Sequence, residues 1–184
     1  ATSTNRLNRL MWLETSAIKA GSVGIDPVRR LASIVETDAT GARKIAERLR
    51  MSNAQRDHLI TLVDPPWQAT REILDDDLRT LLYRMEPARV IDLCLLEWAS
   101  ALTNMPRLPR EHSRAWLRII DTADTWVAVD FPLSGRDARD LGLAEGPQIA
   151  EVLKHVENWW TSGGCRADRD ACLRRLQKVA EAPQ

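Results

Sequence analysis

Cysteine, lysine and most aromatic residues are scarce in this chain. Its 184 residues include three cysteines, one tyrosine and one phenylalanine. Three cysteines at scattered positions cannot build a disulfide framework, and this pattern fits a reducing cytoplasm. No run approaches the roughly 18 apolar residues that a membrane-spanning helix needs. The first residues, Ala1-Thr2-Ser3-Thr4-Asn5, have neither a basic nor an apolar region of the secretory type, so no signal peptide is expected. Net charge is also missing: 26 basic residues face 26 acidic ones. A nucleic-acid binder that relies on overall charge would be basic, so any such contact here has to be a local patch.

Signatures of catalysis are equally sparse. His58, His112 and His155 lie far apart, and none has a second ligand at metal spacing in the sequence. Each is expected as a surface or capping residue, and no metal site is expected. Asp57-His58 reverses the order used by metal hydrolases. Cys165 and Cys172 are seven apart, which matches neither a zinc nor a redox C-x-x-C. The acidic run Asp75-Asp76-Asp77 suits the first turn of a helix, where carboxylates complement the macrodipole. A Gly-x-x-x-x-Gly-Lys loop and a serine nucleophile signature are both absent. No complete catalytic site and no small-molecule ligand are expected in these residues.

What is present is helical periodicity, with no convincing strand alternation. Hydrophobic residues make up 44% of the chain, enough for a core without metal or disulfide staples. The fold class expected is all-α, a multi-helix bundle forming a body over 1–129, with a smaller helical tail over 130–184. Helix one is expected over 5–20 and is stopped by Gly21 and Gly24. Asp26-Pro27 reads as N-cap and N1 of a short helix through Val35. Another helix spans 40–50. Ser52-Asn53-Ala54-Gln55 is a capping box opening a helix that runs to Val63. Residues 67–85 read as one or two helices.

Pro87 opens a helix over 87–102 that is apolar nearly all round and therefore central. Pro106 and Pro109 precede one over 110–126. After an extended stretch at 130–133, Ser134 caps a short helix closed by Gly142. Gly146-Pro147 opens the next, to about Ser162, and a last helix covers 168–180. Most of the seven tryptophans are expected as core residues.

Two features bear on function. Only Lys19, Lys44, Lys154 and Lys178 are lysines among the 26 basic residues, so arginine dominates. Arginine makes planar, bidentate contacts to phosphate. Arg110, Arg114 and Arg118 are spaced i, i+4, i+8 and stand in one column of a helix, with Arg107 just before it. Such a column can track a phosphate backbone. Arg43, Lys44, Arg48, Arg50 and Arg56 form a second basic region. Its segment Lys44-Ile45-Ala46-Glu47-Arg48-Leu49-Arg50-Met51-Ser52 is also similar to the start of a DNA-binding helix-turn-helix. Those motifs commonly place glycine in the turn, where this chain has Arg50-Met51. The second helix carries Asp57, which would face phosphate poorly.

The second feature is a linear pattern: Phe131-Pro132-Leu133-Ser134-Gly135-Arg136-Asp137, then Leu141-Gly142-Leu143, then Gly146-Pro147. It resembles the C-terminal part of bacterial CCA-adding tRNA nucleotidyltransferases and their poly(A) polymerase relatives. Asp26-Pro27-Val28-Arg29-Arg30-Leu31-Ala32 and Arg48-Leu49-Arg50-Met51-Ser52-Asn53 are similar to further segments of that family, so the likeness extends from about Asp26 onward. The resemblance implies an RNA-binding region that positions a tRNA, or another RNA 3′ end, for nucleotide addition. Catalysis, with Mg2+ and ATP or CTP, would lie in head and neck domains whose motifs are absent here. It also implies Arg136, with the Arg110, Arg114 and Arg118 column, as RNA contacts. A helix-turn-helix DNA-binding regulator and a helical protein-interaction scaffold are the alternatives.

Overall fold

A computed structural model describes residues 2–17, 23–143 and 146–181. Among them there are ten α-helices and no strand, as the periodicity predicts. They are α1 Thr2–Trp12, continued by a π-helical turn at Leu13–Ala17, α2 Pro27–Ile34, α3 Ala39–Arg48, α4 Asn53–Val63 and α5 Asp75–Arg84. They continue as α6 Pro87–Asn104, α7 Arg110–Asp124, α8 Gly135–Asp140, α9 Pro147–Ser162 and α10 Arg169–Ala180. The expected extension of helix one over 18–20 and its stop at Gly21 lie outside the described residues.

The chain divides into two compact units, one of residues 1–72 and 86–126, the other of residues 73–85 and 127–184. In the first unit α6 is the hub, packing against α1, α2, α4 and α7. Its Val90, Leu93, Cys94, Leu95, Leu96, Trp98 and Ala99 are all buried, which explains why its apolar residues surround the axis. Helix α7 is amphipathic. Trp116, Ile119, Ile120 and Ala123 recur at helical spacing and form its buried face.

The capping chemistry forms as its residues dictate. Asp26 accepts hydrogen bonds from the amides of Val28 and Arg29 ahead of Pro27. Ser52 and Gln55 make a reciprocal capping box at α4. Between α3 and α4, Arg50 donates its amide to Glu47 O and Met51 donates to Ala46 O, with Arg50 at φ 53°. This is a Schellman closure with arginine in the left-handed position that glycine usually fills.

In the second unit α9 packs on α5, α8 and α10. Trp160 is its centre, buried and edge-on to Tyr83 at 5.2 Å and to Phe131 at 5.6 Å between centroids. Its indole N–H donates to Ala167 O at 2.9 Å. Val152, Val156, Cys172 and Leu176 complete this core. At the end of α9, Gly164 has φ +69°, and a Cβ there would meet the Asp76 Cα at 3.0 Å. Both the backbone conformation and the close approach of α5 therefore require glycine.

Two expectations change. Residues 67–74 are not helical, and only Asp75–Arg84 of the segment 67–85 is. Pro65-Pro66 interrupts the pattern, and the Thr70 hydroxyl accepts from the Glu72 amide, a local bond that competes with helix formation. The tryptophans also divide. Trp98, Trp116 and Trp160 are buried, whereas Trp12 and Trp159 are exposed.

Candidate functional site

The basic residues singled out in the sequence fall into three places. On α7, Arg110 and Arg114 are exposed and Arg118 is half-buried. Each four-residue step turns about 40° around a helix axis, so the three occupy an arc of roughly 80° opposite the buried Trp116 face. Arg118 also has an interaction within the chain. Arg107 is exposed in the non-helical link before α7.

On α3 and its closing turn, Arg43, Lys44, Arg48 and Arg50 are all exposed. The αL conformation at Arg50 places a guanidinium where the chain reverses. Arg56, by contrast, is tied to Asp57 at 3.0 Å and to Asn53. The third place is α8 in the other unit. There Arg136 is 82% exposed, with a loose contact of 4.0 Å to Asp140. An ion pair this exposed contributes little, so Arg136 stays available to a ligand.

The neighbouring Asp137 serves the fold. Its carboxylate accepts from the Ser134 amide at 2.7 Å and the Ser134 hydroxyl at 2.9 Å, closing a capping box. It also pairs with Arg169, whose other nitrogen donates to Pro132 O at 2.5 Å. Burial pushes the Asp137 carboxyl up, but Arg169 and Ser134 outweigh it and hold the group below the usual carboxylate range. Within Ser134-Gly135-Arg136-Asp137, Ser134 and Asp137 shape the helix start, and Arg136 extends its side chain into solvent.

A further cluster, unseen in the sequence, lies inside the first unit. Arg29 on α2 is 3% exposed and donates to Glu14 Oε1 at 2.6 and 3.0 Å, to Asp92 Oδ1 at 2.5 Å and to Gly24 O at 2.5 Å. Arg30 reaches Glu14 Oε2 at 2.8 Å. Asp92, on α6, uses its second oxygen to hold His58 Nε2 of α4 at 2.8 Å. The other ring nitrogen of His58 lies 3.8 Å from Asp26 Oδ2. Burial works against the charge of Arg29, but Asp92 and Glu14 outweigh it and raise its pKa further. His58 is thus neither a surface residue nor a cap, contrary to expectation. It is half-buried between two carboxylates. A cavity of about 390 Å³ opens beside it, lined by Asp26, Arg29, His58, Glu86, Arg89 and Asp92 among others.

One sequence signal pointed toward this cluster: Asp92 is the only charged residue in the apolar run from Val90 to Leu96. A charge there needs a buried partner. The partners come from helices 63 and 34 residues away, and periodicity cannot pair them.

Comparison with known proteins gives partial likenesses. No family model matches the chain. It is 39% identical over 86 residues to an uncharacterized 28 kDa protein in the petA 5′ region of Rhodospirillum rubrum, covering 47% of this chain and 30% of that protein. It is 32% identical over 54 residues to the mitochondrial CCA tRNA nucleotidyltransferase 1 of Mus musculus and 30% identical over 54 residues to that of Homo sapiens. Each of those two stretches covers 29% of this chain and 12% of the relative. The chain thus spans less than a third of the length of these curated relatives. No helix among the described residues is long and apolar enough to cross a membrane.

Proposed function

We propose that this chain is a tRNA-binding helical region of a CCA-adding or poly(A)-adding nucleotidyltransferase. It would position the RNA 3′ end for head and neck domains that are not among these residues. In this reading residues 1–129 form the body, residues 130–184 form the tail, and the protein works in the cytoplasm. The observation that carries it is the likeness to two CCA tRNA nucleotidyltransferases, at 32% and 30% identity over 54 residues. The geometry supports it. A chain of zero net charge exposes arginines locally, on the outer face of α7, at the α3 turn and at Arg136. An enzyme that extends one RNA class gains more from gripping shape and backbone than from reading bases, and arginine suits phosphate.

The test is filter binding of folded tRNA against duplex DNA of equal charge, at several salt concentrations. Salt-sensitive binding that favours tRNA is expected. Replacing Arg110, Arg114 and Arg118 together by Ala lowers the affinity and flattens the salt dependence, by roughly 0.7–0.9 in log–log slope for each phosphate no longer neutralised. Equal binding by the triple variant removes the α7 column from the interface. Preference for DNA favours the helix-turn-helix alternative, and absence of nucleic-acid binding favours the scaffold.

A further inference from the structure

We infer that Asp26, His58 and Asp92 form a binding site for a divalent transition cation of the zinc class. One donor atom from each lies within 4.8 Å of the other two. The three residues come from the N-terminus of α2, from α4 and from α6, so the convergence is tertiary and does not come from an acidic run.

Each carboxylate has one oxygen held in place and the other beside a ring nitrogen of His58, Asp92 at Nε2 and Asp26 on the Nδ1 side. Asp26 Oδ1 is fixed by the amides of Val28 and Arg29, which leaves Oδ2 toward the imidazole. Asp92 Oδ1 is fixed by Arg29, itself locked by Glu14 and Gly24 O, which leaves Oδ2 on His58. Outer hydrogen bonds that aim the ligating atoms are what a metal centre requires of its surroundings. The charge is suited as well. Glu14 and Asp92 pair with the guanidiniums of Arg29 and Arg30, and Asp26 adds a third carboxylate beside the imidazole, so one negative charge is in excess there.

An imidazole with two carboxylates favours Zn2+ over the all-oxygen preference of Mg2+ or Ca2+. Donors of a tetrahedral zinc stand about 3.3 Å apart for bonds of about 2.0–2.1 Å. His58 lends the ion one ring nitrogen: with zinc on Nε2, the His58 and Asp92 atoms, now 2.8 Å apart, separate by about half an ångström, and the Asp26 carboxylate, now 3.8 Å from Nδ1, swings round the ring edge to reach it. Three protein ligands leave a position for water, and the adjoining cavity of about 390 Å³ supplies the space.

The proposal is independent of the RNA-binding reading. Its test is calorimetric titration of the EDTA-dialysed chain with Zn2+, with Mg2+ in parallel, and thermal melting in each state. Saturable uptake of one zinc per chain is expected, with a raised Tm and no competition from millimolar Mg2+. Asp26→Asn keeps the helix cap, since asparagine caps as well as aspartate, but loses a ligand, as does His58→Gln. Both are expected to abolish the uptake while the far-ultraviolet spectrum is unchanged. Uptake that survives in both variants, or none by the wild-type chain, overturns the proposal. Should either variant fail to fold, nuclear magnetic resonance of the wild-type histidine rings decides. A zinc-induced shift at His58 supports the site, and one confined to His112 or His155 overturns it.

Discussion

Replacing Arg29 by Met tests the physical account of the buried polar cluster most directly. Arg29 is 3% exposed and supplies both an elongated apolar stem and the guanidinium. Methionine retains much of the stem, so the change isolates the charge. Its removal strands two acids. Asp92, 5% exposed, keeps only His58, and Glu14, 8% exposed, keeps only Arg30. Breaking a buried pair from one side costs about 3–5 kcal/mol, against about 1 kcal/mol or less for an exposed pair. At roughly 2–4 °C per kcal/mol for a chain of this size, the midpoint falls by about 6–20 °C.

The measurement is urea denaturation in EDTA, with hydrogen exchange of α6 amides to read the first unit on its own. Most of the loss arises from the acids left behind, so Arg29→Met combined with Asp92→Asn and Glu14→Gln recovers a substantial part of it. Arg29→Lys falls between, because an ammonium lacks the planar fork that serves three acceptors at once. A loss below about 1 kcal/mol for Arg29→Met, or a triple variant no more stable than the single one, would refute the reasoning.

Three further outcomes follow from the geometry. Asp137 is held below its ordinary pKa in the folded chain, so its contribution is present above the unfolded value and is lost as pH falls through the folded one. Urea midpoints of wild type and Asp137→Asn therefore differ near neutrality and converge in acid, and a constant gap across the titration would contradict the pairing with Arg169. Arg50 adopts φ 53°, where a side chain is strained, so Arg50→Gly is expected to stabilise by about 0.5–1 kcal/mol in urea. Burial pushes the Cys94 thiol up to about 12, and burial raises Cys165 and Cys172 also. Ellman's reagent should therefore label all three only as fast as the chain opens, and one rapidly reacting thiol in native buffer contradicts that.

The helices were legible because their signals are local. Asp26-Pro27, Ser52 with Gln55 and Ser134 with Asp137 each carry a cap within four residues, and the caps form where the residues stand, while Gly146-Pro147 starts α9 at Pro147 without a side-chain cap. The segment 67–74 misled because its apolar residues repeat at helical spacing, while Thr70 offers the backbone a competing bond. Exposed arginines could be found by spacing, since a column on one helix needs no second element. The Glu14, Arg29, His58 and Asp92 cluster could not, because Glu14, Arg29 and His58 each read alone as ordinary surface residues and Asp92, though a charge inside an apolar run, does not name its partners. Only packing α2, α4 and α6 together turns them into one network.

Helix α5 has a consequence for synthesis. It emerges between two parts of the first unit, yet its own partners belong to the second. Tyr83 bonds Glu157 at 2.6 Å, Arg79 donates to Gly164 O at 2.7 Å, and Arg166 pairs with Asp76 at 2.9 Å. Leu78 and Leu82, buried in the finished protein, are translated some 70 residues before α9. On the ribosome α5 therefore waits, its apolar stripe exposed, while α6 and α7 complete the first unit. Slowing translation between α7 and α9 would lengthen that wait and favour capture by a chaperone. A fragment cut at residue 127 would inherit the same bare stripe permanently.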